Sequence, residues 1–284
     1  MSLLTEFLHQ HGIAISQGDF LLRASTVATA VASALFGGWL GSRTRTKQKV
    51  VDELNAIRVA VALCFSISNK GLAIKRQHVR PTKQRYDKIQ TRMSLPQFNP
   101  TTIELDLQTL ANVKFPTAAL EKCVYEKINA GGKALVTLAD LSTALEAFTD
   151  STKYRNDLIK EFRSLGKPEL IACYLGKPSP QGHTDTRFAH NVLALYEQTD
   201  DCIFFANELA DELIKYGNGL RKRHAWKYRL PIPKIEGADW SIAEAQDLLP
   251  ERSNYADWLR GFKNVPTRSE RLKRWFKQIV STGE

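Results

Sequence analysis

Acidic residues are in deficit. The 284-residue chain has 30 Asp and Glu against 40 Lys and Arg, giving a formal net charge of +10 and a pI near 9.4. An excess of this size favours acidic partners: nucleic acid, anionic lipid or an acidic protein. Cysteine is scarce as well. Cys64, Cys123, Cys173 and Cys202 lie far apart and form neither a CxxC nor a Cys/His pattern at metal spacing. The sequence therefore predicts buried free thiols in a reducing compartment rather than a disulfide framework.

Catalytic signatures are missing too. No GxSxG, HExxH or dinucleotide fingerprint occurs, and no internal repeat is evident. The string NAGGKALVT fails as a phosphate loop at two places, because the motif needs glycine where Lys127 stands and Ser or Thr where Ala134 stands. His9 and His11 are two ligands at most, short of a structural zinc site. His183 and His190 flank Asp185 without a nucleophile motif. Glu197, Asp201, Glu208 and Glu212 share a helix face but lack the ExxH pairing of a di-metal bundle, so a solvated face is expected. The expectation is a binding protein and not an enzyme, with no cofactor and no metal.

Charge is absent from one place where it matters. Between Ala24 and Ser42 nineteen residues carry no formal charge, and Phe20, Leu21 and Leu22 extend the apolar run beyond Arg23. That matches the roughly 20 residues that cross a bilayer core. Arg23 would cost about 2.5–3.5 kcal/mol at the bilayer centre, but it lies near one end, where it can snorkel to the headgroups. A cleaved signal peptide is the first rival. Ala32-Ser33-Ala34 supplies its cleavage pattern, but the positive start is missing, with Glu6 and Asp19 preceding the run. A buried core helix is the second rival, yet such helices seldom run nineteen residues without a solvated charge.

Residues 20–42 are accordingly expected to form a single transmembrane helix in contact with the lipid bilayer. Arg43, Arg45, Lys47 and Lys49 follow directly, so the positive-inside rule places residues 1–19 outside and the rest in the cytoplasm, as in a bacterial-type inner membrane. The segment carries stripes of small residues: Ser33, Gly37 and Gly41 on one line, Ala30, Ala34 and Gly38 on the next. Gly37 and Gly41 form GxxxG, which permits close helix approach, so a homo-oligomer is expected.

After the apolar stretch, Val50, Leu54, Ile57, Val61, Cys64, Ser68 and Leu72 recur at three- and four-residue spacing and predict a long helix within 43–93. Pro81 is expected to end it, because the residue before a proline disfavours helical geometry. Between Lys70 and Arg92 eight bases face only Asp87. A straight helix from Arg43 to Arg80 would carry that cluster about 55 Å from the lipid surface, many Debye lengths away. Arg76, Arg80, Lys83, Arg85 and Lys88 are therefore candidates for binding an acidic cytoplasmic protein or nucleic acid, with a solvated or internally paired face as the plainer alternative.

Residues 94–284 predict a cytoplasmic helical domain, making the fold mostly α. A helix is expected over Ile103–Val113, although Ile103, Leu105 and Leu107 alternate like a strand. Others are expected from Pro116 to the Gly131-Gly132 break, from Lys133 to Thr149, from Lys153 to Leu165 and from Glu169 to Leu175. The strongest runs from Thr186 to Tyr216, with a seven-residue repeat through Val192, Leu195, Thr199, Cys202, Ala206, Leu209 and Leu213. Arg221, Lys222, Arg223 and Trp226 make a second basic cluster suited to phosphate contact and base stacking. An amphipathic helix is expected over Ser269–Val280. Together these features predict a membrane-anchored scaffold or sensor that self-associates through its span and binds a cytoplasmic partner. The alternatives are an oligomerising membrane effector of defence or toxin type, and a membrane-tethered nucleic-acid binder.

Overall fold

The computed structural model describes residues 17–93, 104–179, 182–228 and 233–263, and side chains 17–24, 27, 28, 226–228 and 245 are excluded from that description. Among the described residues the fold is an all-α bundle with no strand. The elements are α1 (Gln17–Ile74), a π-helical turn (Lys75–Val79), α2 (Arg80–Met93), α3 (Thr117–Lys127), α4 (Gly132–Phe162), α5 (Lys167–Leu175), α6 (Arg187–Tyr228), α7 (Ser241–Ala245), a 3-10 turn (Arg252–Tyr255) and α8 (Ala256–Lys263). The expected N-terminal segment 1–16, the Pro96–Pro100 loop and the Ser269–Val280 helix lie outside the described residues.

The periodicity of α1 explains its packing. Val50, Leu54, Ile57, Val61, Cys64 and Leu72 are all buried, and they meet the seven-residue face of α6, where Val192 through Leu213 are buried as expected. α3 and α4 complete the main core around Leu120, Val124, Leu138 and Leu141. Each such side chain contributes about 1.5–3 kcal/mol when fully buried.

α1 and α6 run antiparallel, and two glycines set how closely. A Cβ on Gly71 would lie 2.9 Å from Ile203, and one on Gly217 would lie 2.7 Å from Ile235 and 3.0 Å from Ile57. A side chain at Gly71 would force Ile203 to shift, and one at Gly217 would force Ile235 and Ile57 to give way. Residues 50–89 thus share the bundle's cores with the helices that follow Thr117.

The first correction concerns Pro81, which does not stop the helix. Arg80 keeps α-helical geometry (φ −62°, ψ −48°), and its N–H donates to the Lys75 carbonyl, five residues back. The widened turn just before the proline absorbs the ring that would clash with a regular helical carbonyl. α2 then runs on to Met93.

Residues 104–113 form neither helix nor strand. Their backbone is held instead by α4: Arg155 donates to the Gln108 carbonyl (2.6 Å), Asn156 brackets Leu110 through both its N–H and its carbonyl, and Arg163 donates to the Leu107 carbonyl (2.8 Å). Leu105, Leu107 and Leu110 alternate into the core because the segment is extended over it. The two helices expected over Lys133–Thr149 and Lys153–Leu165 are one continuous helix, since nothing between Thr149 and Lys153 breaks it. α6 likewise continues to Tyr228.

The carboxylate face of α6 is not simply solvated. Glu208 is buried and accepts from Lys133 (2.6 Å) and Arg252 (2.8 Å), and Asp201 accepts from the Tyr255 hydroxyl (2.8 Å). The ring of Tyr255 stacks on Phe204 with centroids 3.6 Å apart, which straps residues 252–263 across α4 and α6.

Candidate membrane helix and basic surfaces

α1 is 58 residues long, about 87 Å at 1.5 Å per residue, and only its second half belongs to the bundle. From Thr29 to Lys49 every side chain is exposed, and burial begins abruptly at Val50. Among the described residues the first half therefore projects away from the bundle. A Cβ added at Gly37, Gly38 or Gly41 would meet nothing within 4 Å, so the small-residue stripe of Ala30, Ser33, Ala34, Gly37, Gly38 and Gly41 faces open space.

Large apolar residues stand exposed on this projection: Val31, Leu35, Phe36, Trp39 and Leu40, with Leu35 the most exposed at 70%. At 100° per residue they spread over roughly half the helix circumference. Phe36 stacks on Trp39, and the Arg43 guanidinium lies 5.4 Å from the Trp39 ring.

The expected transmembrane span over 20–42 is not supported by these residues alone. Among the described residues no helix is long and apolar enough to cross a membrane. The reason is compositional: alanine, serine, threonine and glycine dilute the few strong apolar side chains.

The basic cluster on the far side of the bundle is largely committed to the protein itself. Lys70 donates to the Lys114 carbonyl (2.8 Å), Lys75 is buried against Asp200, Arg80 bonds the Gln246 carbonyl (2.7 Å) and pairs with Asp247, Lys83 pairs with Asp87, and Arg85 lies 3.5 Å from Asp106. Arg76, Lys88 and Arg92 are exposed and form no ion pair among the described residues. Internal pairing thus accounts for Arg80, Lys83 and Arg85, leaving Arg76 and Lys88 of that candidate set uncommitted. Sequence could not show this, because Asp106, Asp200 and Asp247 come from distant segments.

Of the second cluster, Arg221 is half-buried at the end of α6, Lys222 and Arg223 are exposed, and the Trp226 side chain lies outside the described residues. No protein-family model, no curated protein and no solved structure matches this chain. Function must therefore be argued from its own chemistry.

Burial pushes the Cys64 and Cys202 thiols far above their ordinary range, which leaves them inert, and burial pushes the Tyr174 hydroxyl up to about 12. Among the described residues no group of three His, Cys, Asp or Glu could hold a metal. A cleft of about 730 Å³ lies between α4, α6 and α8 and is lined by Lys133, Glu208, Glu212, Arg252 and Phe262. Burial pulls the Lys133 ammonium down, but Glu208 and Glu212 outweigh it and hold the group above its usual value. Acids and bases there neutralise one another, and no nucleophile accompanies them.

Because a Cβ at Gly37 or Gly41 would meet nothing among the described residues, substitution there should leave the bundle intact. Gly37→Ile with Gly41→Ile is expected to disperse any self-association seen by cross-linking of the full chain. Thermal unfolding of the bundle should stay unchanged, since surface substitutions typically alter stability by about 0.5 kcal/mol or less.

Proposed function

We propose that this protein is a membrane-anchored helical interaction protein, a scaffold or sensor, whose residues 20–42 enter the bilayer and self-associate while its bundle binds a cytoplasmic partner. The observation that carries the reading is the bare half of α1, uncharged from Ala24 to Ser42 and with apolar side chains exposed around half its circumference. A single docking partner covers one stripe of a helix, whereas lipid surrounds it. The modest apolarity of the segment fits a helix that gains from association through its small residues once inserted.

Arg43, Arg45, Lys47 and Lys49 then keep the bundle in the cytoplasm. Arg76 and Lys88, which form no ion pair among the described residues, are the surface offered to an acidic partner. A reporter fused after Glu284 is expected to be active only in the cytoplasm, and one fused to the N-terminus only outside. Recovery of the full chain in detergent-free soluble extract would refute the proposal.

A second reading is favoured by the same weak apolarity and open glycine stripe: an effector whose assembled helices perturb the bilayer. Dye leakage from cells on overexpression separates it from a passive anchor.

A further inference from the structure

Two basic segments that are about 175 residues apart in sequence are brought to the same end of the bundle by the antiparallel packing of α1 and α6. The Tyr216 hydroxyl donates to Glu53 (2.7 Å), and Gly217 abuts Ile57, which fixes the register. Counted from the Gly217–Ile57 contact, Lys222 and Arg223 stand level with Asp52 and Val51, and Lys49, Lys47 and Arg45 follow within about 10 Å along the axis of α1.

This collar, carried by two helices, lies at the end of the bundle where the uncharged half of α1 leaves it. All five of its side chains are exposed, and none forms an ion pair among the described residues. The contrast with the opposite end is direct, since Lys75, Arg80, Lys83 and Arg85 are paired there. The acids near the collar are Asp52, Glu53 and Glu126. Glu53 is already engaged by Tyr216 and by the backbone N–H of Asn129, and Asp52 accepts from Gln48.

We infer that the collar of Arg45, Lys47, Lys49, Lys222 and Arg223 binds the headgroups of anionic phospholipids. The inference rests on the proposed membrane anchor, because only then does the collar lie at the lipid surface. There its long side chains extend toward headgroup charge, which acts over a Debye length of roughly 8 Å. The paired cluster at the far end is beyond that reach. The surface charge of an anionic leaflet favours each nearby base by about fivefold, so several acting together select their lipid neighbours strongly.

The test uses the full chain in phosphatidylcholine vesicles containing a small fraction of either phosphatidylglycerol or phosphatidylcholine that carries an acyl-chain energy acceptor for tryptophan. Transfer to the phosphatidylglycerol acceptor is expected to exceed transfer to the neutral one severalfold, and 0.5 M salt should reduce the difference. In the variant Lys47→Gln, Lys49→Gln, Lys222→Gln, Arg223→Gln the two transfers should become equal, with the circular dichroism of the bundle unchanged.

Equal transfer in the parent would overturn the inference. So would binding of a 20-nucleotide RNA in 0.15 M salt that the same four substitutions abolish, because the collar would then be a nucleic-acid surface. Flotation with purely neutral vesicles reads the anchor separately. A chain that does not float refutes the anchor, and one that floats with equal transfer refutes only the collar.

Discussion

Replacing Lys75 with alanine is expected to lower the unfolding free energy of the full chain by about 3–5 kcal/mol, the cost of stranding one member of a buried ion pair. The Lys75 side chain is 3% exposed and reaches across from the π-helical turn to Asp200 on α6. Its ammonium also donates to the Leu248 carbonyl (2.9 Å) and lies 5.1 Å from the Tyr196 ring, so one cation joins α1, α6 and the segment after α7. Burial holds the Asp200 carboxyl above its ordinary range, and Lys75 is the main group opposing that rise.

Without Lys75 the carboxyl rises further, and the folded state takes up a proton more readily than the unfolded one. The deficit is therefore largest at neutral pH and shrinks as pH falls through the raised value, because protonation removes the stranded charge. Urea unfolding at several pH values reads both effects. Lys75→Met with Asp200→Leu should recover much of the loss, since replacing both members of a buried pair is often nearly neutral. A deficit that does not change with pH would show that Lys75 acts through packing alone.

Placing arginine at both Val31 and Leu35 should release the protein from membranes while leaving its bundle intact. Val31 is at the middle of residues 20–42, and arginine at a bilayer centre costs about 2.5–3.5 kcal/mol, so the pair costs about 5–7 kcal/mol. That corresponds to roughly a ten-thousandfold or greater fall in partitioning. Both side chains are exposed and touch none of the bundle's cores, so unfolding of the bundle should not move measurably. The comparison is made by fractionating cells that express the parent and the variant. A variant that stays with the membrane at the parent's level would remove the bilayer from the account of this helix.

The long helices were legible because their apolar residues keep a helical period against polar neighbours. Val50 to Leu72 and Val192 to Leu213 are buried on the faces that their spacing predicts. The segment 104–113 was not legible, since its structure depends on donors from Arg155, Asn156 and Arg163 on another helix. Pro81 misled for a related reason: the local rule is sound, but a π-helical turn upstream relieves the clash it describes.

Charge was the least legible property. Glu208 sits off the heptad stripe and seemed solvent-facing, yet Lys133 and Arg252 approach it from 75 and 44 residues away and enclose it. Lys75 belongs to an exposed-looking basic run and is buried for the same kind of reason. The uncharged stretch was visible at once, but its emergence as a bare continuation of a core helix was not, because periodicity does not say where a bundle ends.

Hydrogen exchange of the full chain with and without lipid nanodiscs tests the proposed membrane anchor most directly. In water the backbone amides of residues 25–42 belong to a helix with no tertiary support and should exchange quickly, whereas those of residues 54–72 are held by the core. Addition of a bilayer is expected to slow the first group by at least about tenfold and to leave the second unchanged. Equal exchange of residues 25–42 in the two conditions would contradict the assignment of this helix to the membrane.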